Sequence, residues 1–473
     1  MSASATIVLE RIQPVADNTD FRTNYSSRES LSNTYILGAR EESESEIEVH
    51  DAGIHGYLRI LGTFFVHFIT LGLPATFGTY QSYYEADLLS TYSSSDISWI
   101  GAIQVFLLSF LGIFSGALYD RGYMREVLIP GLSLLLLAMV LLSFAHEFWQ
   151  IFLTQGFCLG LGSGLVYVPS ISAVSNDFTT HRALALGVAA SGAAFGGVIW
   201  PIAFRQLLPS IGFAWTNRIF ALLVFFLAVG AYFSLTSGNA KTQPSRQRLR
   251  GRPVASSVGT TALNQEKFAA LFSAFNGKPY LFLCGGVFFI LLGYWIPLFY
   301  IVPYAAATLG TSSSYAPYLL SILNAGSLFG RVIPAYLGRL YGTANILLLE
   351  ATVLGVLVLL WVVIRSVAAI TAWCFLLGFT AGSVITIPNA VASRLSNPSN
   401  TGLRLGIMWT AGAFAELVGT PIAGTLVTQH NGKINYLGCQ LFGGLSILIG
   451  ASLLVVPTWS IFKDDRMREA RTE

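Results

Sequence analysis

From about residue 58 onward, the apolar residues of this chain gather in runs of roughly twenty, separated by short polar connections. A helix rising about 1.5 Å per residue crosses a hydrocarbon layer of about 30 Å in one such run. Twelve runs can be placed, near 58–81, 97–118, 126–145, 149–172, 183–204, 214–236, 280–303, 315–337, 344–364, 369–391, 403–427 and 436–460. The pattern predicts an all-α membrane protein with twelve transmembrane helices, split into two six-helix bundles at 57–236 and 280–460. The long connection 237–279 is rich in Lys and Arg and reads as a basic linker, with a short amphipathic surface helix expected between Gln265 and Asn276. Residues 1–56 hold ten acids and many Ser and Thr but no long apolar run, which predicts a disordered N-terminal tail. Residues 461–473 read as a C-terminal tail.

Composition narrows the class. Of 473 residues, 53% are hydrophobic and 11% are charged, against about 25% charged in soluble proteins. That excludes a soluble enzyme, and a formal charge of +3 offers no basic surface for nucleic acid. The four cysteines (Cys158, Cys284, Cys374, Cys439) lie within apolar runs without metal-ligand spacing, so neither a disulfide nor a metal site is expected. Gly160-Leu-Gly162-Ser-Gly164 imitates a dinucleotide loop but sits inside the fourth run with no strand before it, and reads as a helix-packing stretch. No cofactor is expected.

Charge also orients the runs. With both termini on one side, every Lys and Arg falls on that side except Arg205, Arg218, Arg365 and Lys433. Basic residues collect on the cytoplasmic face of membrane proteins, so both termini are expected in the cytoplasm.

Two loops repeat. After the second run stands Gly116-Ala-Leu-Tyr-Asp120-Arg121-Gly122-Tyr-Met-Arg125, and six runs later Ala335-Tyr-Leu-Gly-Arg339-Leu-Tyr-Gly342. A tight, charged, glycine-bearing turn at the same place in two six-run halves is what an internal duplication leaves. The first loop resembles the signature between helices 2 and 3 of the major facilitator superfamily. Further matches are Asp51-Ala-Gly53, Ser98-Trp99-Ile100-Gly101, Asp177-Phe-Thr-Thr-His181-Arg182, Asn324-Ala-Gly-Ser327-Leu-Phe-Gly330-Arg331 and Gly419-Thr-Pro421. With these, residues 51–460 resemble the monocarboxylate porter family, especially its fungal branch. The resemblance implies two bundles that rock about a central cavity, and Arg331 as a surviving contact for a carboxylate. Ala75 and Ser327 occupy places where animal members carry a lysine and an aspartate.

A charge inside a span costs about 3 kcal/mol on insertion scales, so each one needs a reason. Arg331 offers a bidentate clamp for a carboxylate, or else a structural ion pair with Glu350. Glu416, central in the eleventh run, and His67, in the first, are candidate proton carriers. Asn324, Gln104, Asn389 and Tyr294 are candidate substrate contacts; hydrogen bonding between helices is the alternative for the three amides. Tyr300 and Tyr304 fit an interfacial aromatic belt. Gly116, Asp120, Arg121, Gly122 and Arg339 form the structural loop motif.

The expected function is secondary active transport of a monocarboxylate-like or other small organic solute, with protons and membrane lipids as further partners. A single protomer suffices for such a cycle. Efflux of a fungal secondary metabolite is one alternative, and a non-transporting nutrient sensor is another. The expected location is a membrane crossed many times, the plasma membrane first and a vacuolar or other internal membrane second.

Overall fold

The computed structural model describes residues 53–237, 277–312, 315, 316, 318–430 and 433–472. The first helices are α1 (Ile54–Leu88), α2 (Asp96–Asp120), α3 (Met124–Leu142) and α4 (Phe148–Asp177). The apolar stretch Arg182–Thr236 is helical at both ends but breaks at Gly212, whose φ of 76° and ψ of 171° follow shortly after Pro209. It therefore supplies two helices, α5 (182–211) and α6 (213–236). The second half contributes α7 (Lys278–Leu309), α8 (Tyr318–Tyr341), α9 (Thr343–Val363), α10 (Val367–Arg394), α11 (Thr401–Thr425) and α12 (Leu437–Met467). That makes twelve. Helix α8 is less uniformly apolar than its neighbours α7 and α9, since it carries Asn324, Arg331 and Arg339.

The helices hold the backbone N–H and C=O groups in internal hydrogen bonds, as a hydrocarbon surrounding demands. Two boundaries move relative to the sequence reading. Helix α1 begins at Ile54, inside the segment assigned to the tail, and α7 begins at Lys278 with Pro279 in its first turn, where a missing N–H does no harm. The segment read as the C-terminal tail continues as helix beyond the apolar span of α12 to Thr472, and Arg466 lies over the Phe462 ring at 5.0 Å. Between α11 and α12 a short antiparallel hairpin pairs β1 (Thr428–His430) with β2 (Lys433–Asn435). Residues 1–52, the body of the linker and its expected surface helix lie outside the described residues.

Buried side chains form two apolar cores. One draws only on α1–α6 and the loops between them, around Trp200, Phe204, Phe220 and Tyr80. The other is built on α7–α12 and also takes in Leu108, Tyr167, Val168 and Ile171 from the first half, so the two halves share a packed seam. The belt assigned to Tyr304 is a second correction. Tyr304 is buried, with its hydroxyl donating to Ile364 O at 2.8 Å and its ring 5.2 Å from that of Trp361.

Near the face where the described chain begins and ends (the terminal face), Arg59 of α1 meets Asp177 of α4 at 2.5 Å. Both side chains are largely shielded from solvent. Removing one partner of such a pair strands the other charge, at a cost of about 3 kcal/mol. Asp177→Asn should therefore lower the melting temperature of the detergent-purified protein while Asp177→Glu retains most of it. Equal melting of Asn and wild-type forms would show the pair to be inert.

Candidate functional site

Helix α1 is not continuous at mid-depth. It runs Ile54–Thr70, Gly72–Ala75 and Phe77–Tyr83, with Pro74 unable to supply an N–H to the turn before it. Two prolines, Pro297 and Pro303, sit inside α7, which stays one helix from Lys278 to Leu309 but lacks their two N–H groups. These stretches, with α2, α5 and α8, line a cavity of about 430 Å³ in the half of the molecule away from the terminal face. Its walls are largely apolar and aromatic, including Phe77, Trp295 and Phe299, while Gln81, Arg205 and Asn324 add polar points. Such an enclosure suits an organic solute fixed by a few polar contacts.

Deeper along α8, seven residues or about 10 Å beyond Asn324, lies Arg331. It is 6% exposed. Its Nε donates to Ser327 Oγ at 3.3 Å, and its Nη1 has no hydrogen-bond partner. The guanidinium is within electrostatic range of His67, Tyr167 and Tyr294, and no ion pair is formed with it among the described residues. Glu350 lies near Ser383 instead, so the structure gives no support to an Arg331–Glu350 pair. A buried cation with an open donor is costly unless something anionic reaches it.

Around the arginine runs a chain of polar aromatics. His67 donates from Nδ1 to Thr63 O at 2.8 Å, and its ring lies 5.0 Å from that of Tyr167. Tyr167 meets Trp409 edge-on at 5.4 Å, and the Trp409 indole N–H donates to Asn389 Oδ1 at 2.8 Å. Glu416 of α11 is buried and accepts from Ser109 Oγ of α2 at 2.8 Å, across the seam between the halves. The Trp295 indole faces the same carboxyl without completing a hydrogen bond.

On the terminal face the halves are shut against each other. Asp120, the last residue of α2, accepts from Gly402 N at 2.9 Å and Leu403 N at 2.7 Å, in the first turn of α11. A carboxylate there satisfies amides with no partner in their own helix and meets the positive end of the helix dipole. Ser175 and Ser393 join α4 to α10 with hydroxyls 2.5 Å apart. A Cβ on Gly116 would collide with Gly402 O, so the α2–α11 backbones touch only because both positions are glycine.

A sequence model described as the Major Facilitator Superfamily matches residues 60–420. The chain belongs to the Major Facilitator Superfamily. It is thus a multi-pass membrane transporter and not an enzyme. The agnestins efflux protein AgnL12 of Paecilomyces divaricatus is 34% identical over 399 residues, covering 84% of this chain and 86% of that protein. The aspyridones efflux protein apdF of Emericella nidulans is 33% identical over 431 residues, covering 90% and 82%. Among solved structures, the human organic anion transporter MFSD10 shares the fold at a TM-score of 0.64 with 17% identity, covering 84% of this chain and 98% of that one. FucP in its outward conformation does so at 0.64 with 14% identity, covering 85% and 98%.

Within this facilitator the candidate residues divide. Arg331, His67 and Tyr294 converge on one buried locus, and Glu416 lies beside it. Asn324 lines the cavity, where its Nδ2 donates to Leu320 O at 3.0 Å. Gln104 is buried on α2 with its Oε1 unpartnered. Asn389 is engaged on both sides of its amide, by Trp409 and by its own helix, and so it ties α10 to α11. In the loops, Gly122 and Gly342 take matching φ values of 86° and 87°, which only glycine adopts without strain, so the repeat is one of backbone geometry as well as of sequence. Arg121 and Arg339 are exposed at these turns. The sequence reading missed Ser109, Tyr167 and Trp409. Tyr167 and Trp409 stand out only locally, as large aromatics next to glycine-rich stretches, since the same helices also carry Phe148, Trp149, Phe152, Phe157 and Phe414.

The glycine contact makes a prediction. Gly116→Val should wedge the terminal face open without unfolding either half. A thiol-reactive probe should then label Ser393→Cys faster in the Gly116→Val background, and Asp120→Asn should act in the same direction more weakly. Unchanged labelling in both would mean that this seam does not hold the face shut.

Proposed function

We propose that this transporter exports an acidic organic metabolite from a fungal cell, as a member of the fungal branch of the monocarboxylate porter family. The observation that carries the reading is Arg331, a buried guanidinium with an open Nη1 that forms no ion pair among the described residues, the nearby Glu416 being held by Ser109 instead. It sits along α8 below a cavity of about 430 Å³, several times the size of a three-carbon acid. That favours a larger solute with an acidic group over simple lactate-like cargo. The two relatives named for efflux point in the same direction. Glu416 and His67 are the proton-carrying groups in this reading, and Arg331, Tyr294, Asn324 and Gln104 form the solute contacts. The distribution of Lys and Arg supports cytoplasmic termini, which makes the described arrangement the one open to the outside, and the plasma membrane is the proposed location.

The test is an untargeted comparison of metabolites inside and outside cells with and without the protein. An acidic compound retained inside cells lacking it is the expected result. A neutral or cationic compound, or an acid depleted inside those cells, would overturn the acid-export reading.

A further inference from the structure

A second cleft, of about 690 Å³, opens on the terminal face between the two halves. It is lined by Thr180 just before α5 and Arg182 in its first turn, and by the end of α8, the start of α9, the end of α10 and the last helix, including Arg339, Thr343, Arg394 and Asp465. Arg182 donates from Nε to Phe178 O at 3.0 Å, a bond that leaves both of its Nη groups for other partners. Arg394 lies within electrostatic range of Arg182 and pairs with Asp465, while Arg339 has no hydrogen bond or ion pair among the described residues. Three guanidiniums thus share one cleft with a single carboxylate. Like charges held together are mutually repulsive unless an anion joins them. The first turns of α5 and α9 add backbone N–H groups to the same wall.

We propose that this cleft binds a phosphate-bearing anion, and that the occupant ties the two halves together on the terminal face. A phosphate offers three acceptor oxygens in the geometry that arginine forks match. Because its ligands come from both α5 and α8–α10, the anion binds the closed terminal face better than an open one. Occupancy therefore shifts the population toward the described arrangement and slows the transport cycle. The chemistry is common to a phosphoinositide headgroup and to a free polyphosphate.

The experiment uses the full chain, purified and reconstituted, with two probes. One is soluble inositol trisphosphate added to protein in phosphatidylcholine nanodiscs. The other is phosphatidylinositol bisphosphate incorporated in the nanodisc lipid. Saturable, salt-sensitive binding is expected for at least one probe, falling about 10-fold or more in Arg182→Gln/Arg339→Gln. Arg125→Gln, a basic position outside the cleft, should bind as the wild type does. Binding of the soluble probe points to a free anion, and binding only within the lipid points to a headgroup. In proteoliposomes the bound probe should slow solute flux of the wild type but not of the double variant, whose unliganded melting curve checks its fold. No saturable binding of either probe, binding equal in the double variant, or binding without slowed flux would overturn the proposal.

Discussion

Arg331→Ala is expected to reduce transport of the acidic solute by about 100-fold or more, corresponding to about 3 kcal/mol of lost charge-assisted hydrogen bonding. The guanidinium is buried, held at Nε by Ser327 and open at Nη1. An alanine there leaves an apolar hole below the cavity, with His67, Tyr167 and Tyr294 facing it and no cation among them. Arg331→Lys keeps the charge but loses the planar fork, so about 10-fold loss with a raised KM is expected. The measurement is solute flux in proteoliposomes at matched protein content, with surface expression as a check on folding. Normal flux and affinity in both variants would remove Arg331 as the acid's partner. A neutral analogue of the solute should be far less sensitive to either change.

Glu416→Gln is expected to uncouple transport from the proton gradient. Glutamine preserves the acceptor that Ser109 uses at 2.8 Å, so the seam between α2 and α11 should survive. It cannot carry an exchangeable proton. For one proton exchanged per solute, each pH unit of gradient is worth about 1.4 kcal/mol, or about 10-fold in accumulation. Wild-type vesicles acidified on the side opposite the terminal face should drive solute out toward that side. The Gln variant should equilibrate the solute without concentrating it, and its flux should be flat with pH. Gradient-driven accumulation by the variant would assign the proton to another group, with His67 next in line.

The architecture was readable because the bilayer imposes it. Twelve runs of about twenty residues have few other uses, and the paired loops at Gly122 and Gly342 announced the two halves. Helix ends were less legible, since the helices starting at Ile54 and Lys278 follow Gly53 and Gly277 without a side-chain cap, and hydropathy does not register the turn in which Pro279 stands. The site was partly legible for the same reason that charge was scarce. Arg331 and Glu416 stood out in apolar helices, whereas Ser109, Tyr167 and Trp409 carry no charge and gain their place only when helices distant in sequence pack together. Asn389 illustrates the opposite limit: its residue type suggested a ligand contact, but the neighbouring Trp409 already occupies its carbonyl.

The α2–α11 seam, where Gly116 lies against Gly402 and Gly112 against Gly406, bears on how the transporter responds to temperature. Glycine against glycine uncovers little hydrocarbon, but Phe106 and Phe110 pack on Phe414 along the same two helices, and Val168 of α4 lies against Gly112. Parting the halves therefore wets an apolar strip beside the bare backbone. Since heat capacity tracks apolar exposure, the step that opens the terminal face should carry an activation heat capacity, and its Arrhenius plot should curve across the growth range.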